Sequence, residues 1–470
     1  MMNWLPWSDA AFARAKKQKK PVLLCISASW CHWCHTMDKL VYADKKIAAF
    51  IKKYVVPVRV DLDHHPDINA RYNVGGTPST LLIAHDGEPV AAATYVPKER
   101  MLGFLADGLS RFGRHTGVKP PRPTTNQTYI SADRLYAQVR GLYDSVNGGF
   151  GLEPKRPNPE ILEYLIYRCE LRRDQDALRM LDHSLMAMLK GELFDHVQGG
   201  FFRECALQNW TILSFEKMLE LNAKMLSIYI RGFELLGRKE YLLAANKTLS
   251  FLFTVLYDKK SGLFFSCQDA DESFCKLPLK ARLVGKHTFV DKNFYTAPNA
   301  LAALALLEAG RLEPEYQDAA VRLVRSILKA IKGKVGHKIP SDGVCTLRDI
   351  VFLLMAVAGV SMVTKDKQFA KEAKHLTGLL FKFEDKKNGG FQDIIVEKKA
   401  FGRLQLAQKP VYENACAALV LRGLAGLTGD KKQRESAVKA LKAVSAQAAA
   451  QGGYAATYAL ALEEFGGSLH

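Results

Sequence analysis

Pro21-Val22-Leu23-Leu24-Cys25-Ile26-Ser27-Ala28-Ser29-Trp30-Cys31-His32-Trp33-Cys34-His35 decides how the first part of this chain folds. Its opening apolar run reads as a buried strand. Beyond it, apolar residues recur at Met37, Leu40, Val41, Ile47, Phe50 and Ile51, which is helical spacing broken near its middle by Asp44. Two cysteines therefore stand where a strand hands over to a helix. The free N–H groups and dipole of a helix start favour a thiolate, so Cys31 reads as the attacking sulfur of a redox pair and Cys34 as the resolving one. Three other readings of the same residues stand beside this one. Cys-x-x-Cys-His is also the attachment pattern of a c-type haem, which requires export and a distal ligand. Cys31, Cys34 and His35, with His64 and His65, offer zinc ligands but lack a second Cys-x-x-Cys or His-x-x-x-His at ligand spacing. Inert buried thiols are the bland reading.

The sequence that follows favours redox chemistry. Val55 to Leu62 reads as a β-branched strand, and Thr77-Pro78 directly precedes the apolar run to Ile83. Asp86-Gly87 marks a hairpin. The order strand, Cys-x-x-Cys, helix, strand, helix, Thr-Pro, strand, Asp-Gly, strand, helix resembles the thioredoxin fold. That resemblance implies that Pro78 is the cis proline beside the active-site sulfurs. It also exposes a departure: thioredoxins carry a buried acid six residues before the first cysteine, and here that position is Cys25.

At 470 residues the chain exceeds one ordinary core, and its 48% hydrophobic and 24% charged content is that of a globular protein. Nine cysteines, scattered apart from the single pair, argue against a disulfide framework and for a reducing compartment. No apolar run approaches the ~20 residues that span a bilayer, and the N-terminus lacks the basic and apolar regions of a signal peptide. A cytoplasmic protein with no membrane partner is expected. The net charge of +18 is spread as lysines along helices, with no aromatic-interleaved basic stripe, so nucleic acid is not expected as a partner.

Residues 1–118 read as the thioredoxin-like domain and the proline-rich 119–127 as a linker. Residues 128–470 change character and become almost wholly helical. A repeat runs through them: Tyr143-Asp144 to Gly148-Gly149-Phe150, Phe194-Asp195 to Gly199-Gly200-Phe201, Tyr257-Asp258 to Gly262-Leu263-Phe264, and Phe383-Glu384 to Gly389-Gly390-Phe391. Gly452-Gly453-Tyr454 and Pro340-Ser341-Asp342-Gly343 are weaker copies, making six. Helical pairs lie between the copies, including Phe215 to Leu236 with Lys239 to Leu256. Six hairpins predict an all-α (α/α)6 toroid after the α/β domain, with an irregular loop over 268–293 covering its mouth.

The whole chain resembles the spermatogenesis-associated protein 20-like family, in which a thioredoxin-like domain of the DUF255 type precedes a six-hairpin glycosidase-like barrel. The matching pieces are Trp4-Leu5-Pro6-Trp7, Cys31-His32-Trp33-Cys34-His35, His65-Pro66-Asp67, Gly148 to Gly151 with Pro154-Lys155, Asp195-His196, Phe215-Glu216-Lys217-Met218-Leu219 and Asp269-Ala270-Asp271. Family members typically carry His where this chain has Ser214, and Glu where it has Gln268. The resemblance implies a barrel that acts on or binds a carbohydrate. Glycoside hydrolysis needs two carboxyl groups, and epimerisation needs paired proton-transfer groups. Asp195, His196, Glu216, Asp269 and Asp271 are the pocket candidates, with Glu413 a further acid. The repeat itself argues the other way for Asp195, since Asp144 and Asp258 hold the same position and an Asp there stabilises its turn.

Three functions follow from these readings. The first is a thiol–disulfide oxidoreductase using Cys31, Cys34 and Pro78 on a protein disulfide or thiol partner, coupled to a barrel that selects or binds a partner or binds or processes a carbohydrate. The second is a sugar-acting hydrolase or epimerase in the barrel, with the thioredoxin-like domain as a regulatory module. The third is a non-enzymatic binding or scaffold protein. No cofactor or metal is expected in any of them.

Overall fold

The computed structural model describes residues 2–117, 129–284, 288–397 and 399–467. The expected linker, 119–127, lies outside them. The chain forms two compact units: Met1–Thr124 with Ile394–Ala407, and Thr125–Asp393 with Gln408–His470.

The first unit is a four-stranded sheet with helices on both faces. Its strands are β1 (Val22–Ser27), β2 (Val56–Asp61), β3 (Ser79–Ile83) and β4 (Pro89–Ala93), in the order β2-β1-β3-β4. β1 pairs parallel to β2 and antiparallel to β3, and β3 pairs antiparallel to β4. Its helices are α1 (Asp9–Gln18), α2 (His32–Met37), α3 (Lys45–Tyr54), α4 (Pro66–Tyr72) and α5 (Lys98–Gly113). Alternation along β1 builds two cores. Leu24 and Ile26 face Phe12, Ile68 and Tyr72, while Leu23 and Cys25 face Val41, Ile47, Ile51 and Leu105. Asp44, which breaks the helical pattern, accepts the amides of Lys46 and Ile47 and starts α3.

Ile394–Ala407 packs on this first unit, although the sequence reading placed it within the 128–470 barrel. The reason is local. Phe401 stacks on Phe12 at 3.9 Å, the amide of Arg403 donates to the Tyr72 hydroxyl at 3.0 Å, and the Arg403 guanidinium pairs with Glu88 at 2.9 Å.

The second unit is a closed (α/α)6 toroid. Its helices are α6 (Ala132–Leu142), α7 (Pro159–Arg172), α8 (Gln175–Lys190), α9 (Leu219–Leu236), α10 (Lys239–Phe251), the short α11 (Glu272–Cys275) and α12 (Leu279–Val284), α13 (Thr296–Ala309), α14 (Pro314–Ile331), α15 (Leu347–Thr364), α16 (Lys367–Leu380), α17 (Val411–Thr428), α18 (Lys431–Gln451) and α19 (Ala456–Glu464). α7, α9, α13, α15, α17 and α19 form the inner ring, each touching the next, and α19 closes it against α7. α6, α8, α10, α14, α16 and α18 stand outside. The predicted 268–293 loop contains α11 and α12. α9 starts at Leu219 rather than Phe215, because Lys217-Met218 is drawn into an antiparallel pairing with Cys267-Gln268. α15 alone among the described helices is long and apolar enough to cross a membrane by length and composition. Its apolarity follows from packing against α13, α16 and α17.

The repeat has a physical explanation. In each strong copy the Asp accepts two backbone amides of its own turn, as Asp195 does from Val197 and Gln198 at 3.0 and 3.2 Å. In three of the four a downstream lysine then pairs with that Asp: Lys155 with Asp144 at 2.9 Å, Lys217 with Asp195 at 2.6 Å and Lys409 with Asp385 at 2.8 Å. An asparagine in the next inner helix clamps the repeat aromatic, Asn222 Oδ1 accepting from the Phe201 amide at 2.6 Å and Nδ2 donating to its carbonyl at 3.1 Å. Asn299 does the same for Phe264, and Asn414 for Phe391. Gly200, at φ +83°, is required because a Cβ there would stand 2.8 Å from the Phe251 ring and 2.9 Å from Asn222.

Candidate functional sites

In the first unit Cys31 and Cys34 form a disulfide at the start of α2. Cys31 occupies the N-cap, and its Sγ accepts the Cys34 amide at 3.2 Å. Both cysteines are buried, whereas Trp33 between them is 56% exposed and meets Tyr95 edge-on at 5.3 Å. Trp30 is anchored from below by donating Nε1–H to Asp63 at 2.5 Å. The Thr77–Pro78 peptide is cis, and Pro78 is buried. The geometry supplies what dithiol chemistry needs: an amide aimed at the Cys31 sulfur and a second sulfur one helical turn away. His35 is turned from the cysteines to the Ser29 carbonyl at 2.9 Å. Among the described residues no three His, Cys, Asp or Glu side chains are placed to hold a metal ion.

Cys25 stands beneath this site in β1, in register with Arg59 on β2 and Thr80 on β3. Burial pushes its thiol up, against the pull of Arg59, so it is held protonated. Arg59 forms a two-pronged pair with Asp38 and lies 4.4 Å from the Trp4 ring. The position that carries an acid in thioredoxins is thus a neutral thiol bordered by an arginine whose charge is already engaged.

In the second unit the five sequence candidates do not assemble. Asp195 is buried and bound by Lys217 and Arg282, each at 2.6 Å. Burial works to raise its pKa, but those two cations outweigh it and keep the carboxyl below its ordinary range. His196 Nε2 lies 2.8 Å from the Leu189 carbonyl. Glu216 pairs with Arg203 at 3.3 Å; it precedes the strand pair, so it does not open α9 as the sequence reading had it. Asp271 caps α11 by accepting the Phe274 amide at 2.9 Å, and Asp269 accepts the Ala270 amide at 2.7 Å. None of the five lines the cavity at the centre of the ring.

That cavity is about 570 Å³, and all six inner helices contribute to it. A charged cluster stands at the N-terminal ends of these helices. Lys224 donates to Glu160 at 2.8 Å and Glu220 at 2.9 Å; Arg348 pairs with Glu220 and, at 2.8 Å, with Glu413. Burial opposes ionisation of Glu220 and Glu160, yet Arg348 and Lys224 hold Glu220, and Lys224 holds Glu160, below the usual carboxylate range. Of these groups sequence reasoning noted only Glu413. The available signal was an acid in the first turn of three inner helices, Glu160 of α7, Glu220 of α9 and Glu413 of α17.

These two units define a thioredoxin-like dithiol fold and a six-hairpin, glycosidase-like toroid in one chain. Residues 1–108 match the family model Thioredox_DsbH, described as "Protein of unknown function, DUF255". Through its first unit the chain belongs to the thioredoxin family: it is 30% identical to thioredoxin of Alicyclobacillus acidocaldarius over 103 residues, 22% of this chain and 94% of that protein. It is also 31% identical over 314 residues to spermatogenesis-associated protein 20 of Mus musculus, a match covering 57% of this chain. The chain spans about 39% of the length of that curated relative. The toroid is similar to the solved structure of cellobiose 2-epimerase from Spirochaeta thermophila, with a TM-score of 0.57 and 15% identity over 71% of this chain and 92% of that one. At that identity the likeness is one of fold.

Proposed function

We propose that the chain is a thiol–disulfide oxidoreductase acting on a protein disulfide or dithiol. The observation that carries this reading is the Cys31–Cys34 disulfide at the start of α2, with the Cys34 amide on the Cys31 sulfur. In the reduced protein the Cys31 thiolate attacks a substrate disulfide. One substrate sulfur leaves as a thiolate, and Cys31 is held in a mixed disulfide. The Cys34 thiolate then attacks the Cys31 sulfur and releases the second substrate thiolate. Two electrons have passed to the substrate, whose thiolates take protons from solvent, and the Cys31–Cys34 disulfide has formed. A dithiol donor restores it, and the same steps in reverse oxidise a substrate dithiol. Exposed Trp33 offers an apolar contact for the incoming chain. Dithiothreitol-driven reduction of insulin disulfides tests the reading: wild type is expected to accelerate it and Cys31→Ser to abolish the acceleration. Equal rates for the two proteins would overturn it.

A second reading, that the barrel binds or processes a carbohydrate, is supported by the Glu160–Lys224–Glu220–Arg348–Glu413 cluster at the inner-helix ends and by the fold likeness to a cellobiose epimerase. Sugar turnover that survives Cys31→Ser but is lost in Glu220→Gln would support it. Absence of both sugar binding and sugar turnover would overturn it, and turnover unaffected by Glu220→Gln would remove the charged cluster from it.

A further inference from the structure

Below the charged cluster the cavity changes character. Leu301, Leu304 and Leu307 of α13, Phe352 and Met355 of α15, and Leu419 of α17 make most of its wall apolar. This is poor material for a ligand covered in hydroxyl groups, each of which would have to give up water without a partner. It suits a hydrocarbon body, and the volume is within the range of small-molecule sites.

One carboxyl stands within this wall without a partner. Glu163 of α7 faces the cavity with its side chain exposed to it, and among the described residues no ion pair or hydrogen bond reaches it. The cations that share the lining are already held. Lys224 is bound by Glu160 and Glu220, Arg231 by Glu170 through two contacts of 2.6 and 3.1 Å, and Arg311 by Glu234 and Glu308 at 3.0 and 3.1 Å. Arg231 and Lys224 act on Glu163 only through space; although the side chain is open to the cavity, the protein around it removes enough hydration to push the carboxyl up against their pull. The lining carries Glu163 and Glu308 against Lys224, Arg231 and Arg311, and each of those three cations is engaged by a carboxylate, as is Glu308 by Arg311. The interior is therefore a mostly apolar chamber in which Glu163 carries the charge left unengaged among the described residues.

We infer that the toroid cavity binds an organic cation, a protonated amine on an apolar body, with Glu163 as the counter-ion. The amine supplies the partner that Glu163 lacks, and the hydrocarbon body covers the leucine, methionine and phenylalanine wall. An anionic amphiphile of the same length would bring a second negative charge to an unpaired carboxyl. This inference is independent of the redox reading and names a ligand class different from the carbohydrate of the second reading.

The test is calorimetric titration of the full chain at pH 8 with octylamine, 1-octanol, sodium octanoate and glucose, with Glu163→Gln and Leu304→Trp as variants. Octylamine is expected to bind wild type, with octanol roughly tenfold or more weaker and octanoate weaker still. Glu163→Gln is expected to lower octylamine affinity by roughly tenfold or more while leaving octanol unchanged. Leu304→Trp, which fills the cavity and leaves the charge, is expected to weaken both. Thermal melts confirm that each variant is folded. Three outcomes would overturn the inference: octanoate binding as tightly as octylamine, octylamine affinity unaltered in folded Glu163→Gln, or glucose binding where octylamine does not. The last would favour the carbohydrate reading instead, and none of these readouts depends on Cys31.

Discussion

At the residue scale the account rests on two sulfurs with different surroundings. Cys31 has an amide on its sulfur at a helix start, whereas Cys25, six residues earlier in β1, is buried and pushed toward the neutral thiol. Cys34→Ser is therefore expected to accumulate the mixed disulfide through Cys31, visible as a covalent adduct with a peptide disulfide by mass spectrometry. No adduct, or an adduct on Cys25, would contradict the assignment. The Cys-x-x-Cys pair was legible because its chemistry is local: strand, pair and helix follow one another in sequence. Asp195 was ambiguous because an Asp before Gly-Gly has the same appearance whether it reacts or folds a turn. Its two buried partners, Lys217 and Arg282, come from 22 and 87 positions away. Glu163 was not legible, since one acid in an amphipathic helix reads as a solvated face until the ring closes around it.

At the element scale the repeat turns carry the toroid, and two measurements examine them. Asn222→Ala removes both bonds to the buried Phe201 backbone and is expected to cost about 2–3 kcal/mol in urea unfolding. A loss below about 0.5 kcal/mol would show that the clamp is incidental. The second measurement concerns the Asp385–Lys409 pair. Burial works to raise the Asp385 carboxyl, but Lys409 and the turn amides outweigh it and hold the carboxyl at about 2. That lies below the ~3.9 of an unfolded aspartate, so the stabilisation is complete above about pH 4 and is lost as pH falls through 2. Asp385→Asn is expected to remove roughly 2 kcal/mol of stability at pH 6 and much less at pH 2. An equal loss at both pH values would place the effect in shape rather than charge. Helix positions were largely legible from 3.6-residue periodicity. The start of α9 was not, because what stops it at Leu219 is the pairing of Lys217-Met218 with Cys267-Gln268, some 50 residues on.

At the scale of the whole molecule, the two-unit organisation was legible in the change from mixed strand and helix patterns to helix alone. The membership of Ile394–Ala407 was not, because its anchors, Phe401 and Arg403, find Phe12, Tyr72 and Glu88 more than 300 residues earlier. Phe401→Ala in the full chain is expected to destabilise the first unit by about 2–4 kcal/mol, read as faster hydrogen exchange in β1 and β3. Exchange there that matches wild type would mean the segment adds nothing to the first unit's core.

The central claim is that Cys31 and Cys34 form a working dithiol. The measurement is alkylation of the reduced chain from pH 5 to 9, with each cysteine followed by mass spectrometry, then reoxidation and recovery of the disulfide. The account predicts that Cys31 reacts first, with an apparent pKa below the ~8.5 of a free thiol, and that the Cys31–Cys34 disulfide re-forms reversibly. A Cys31 that titrates as an ordinary thiol and forms no disulfide would contradict it.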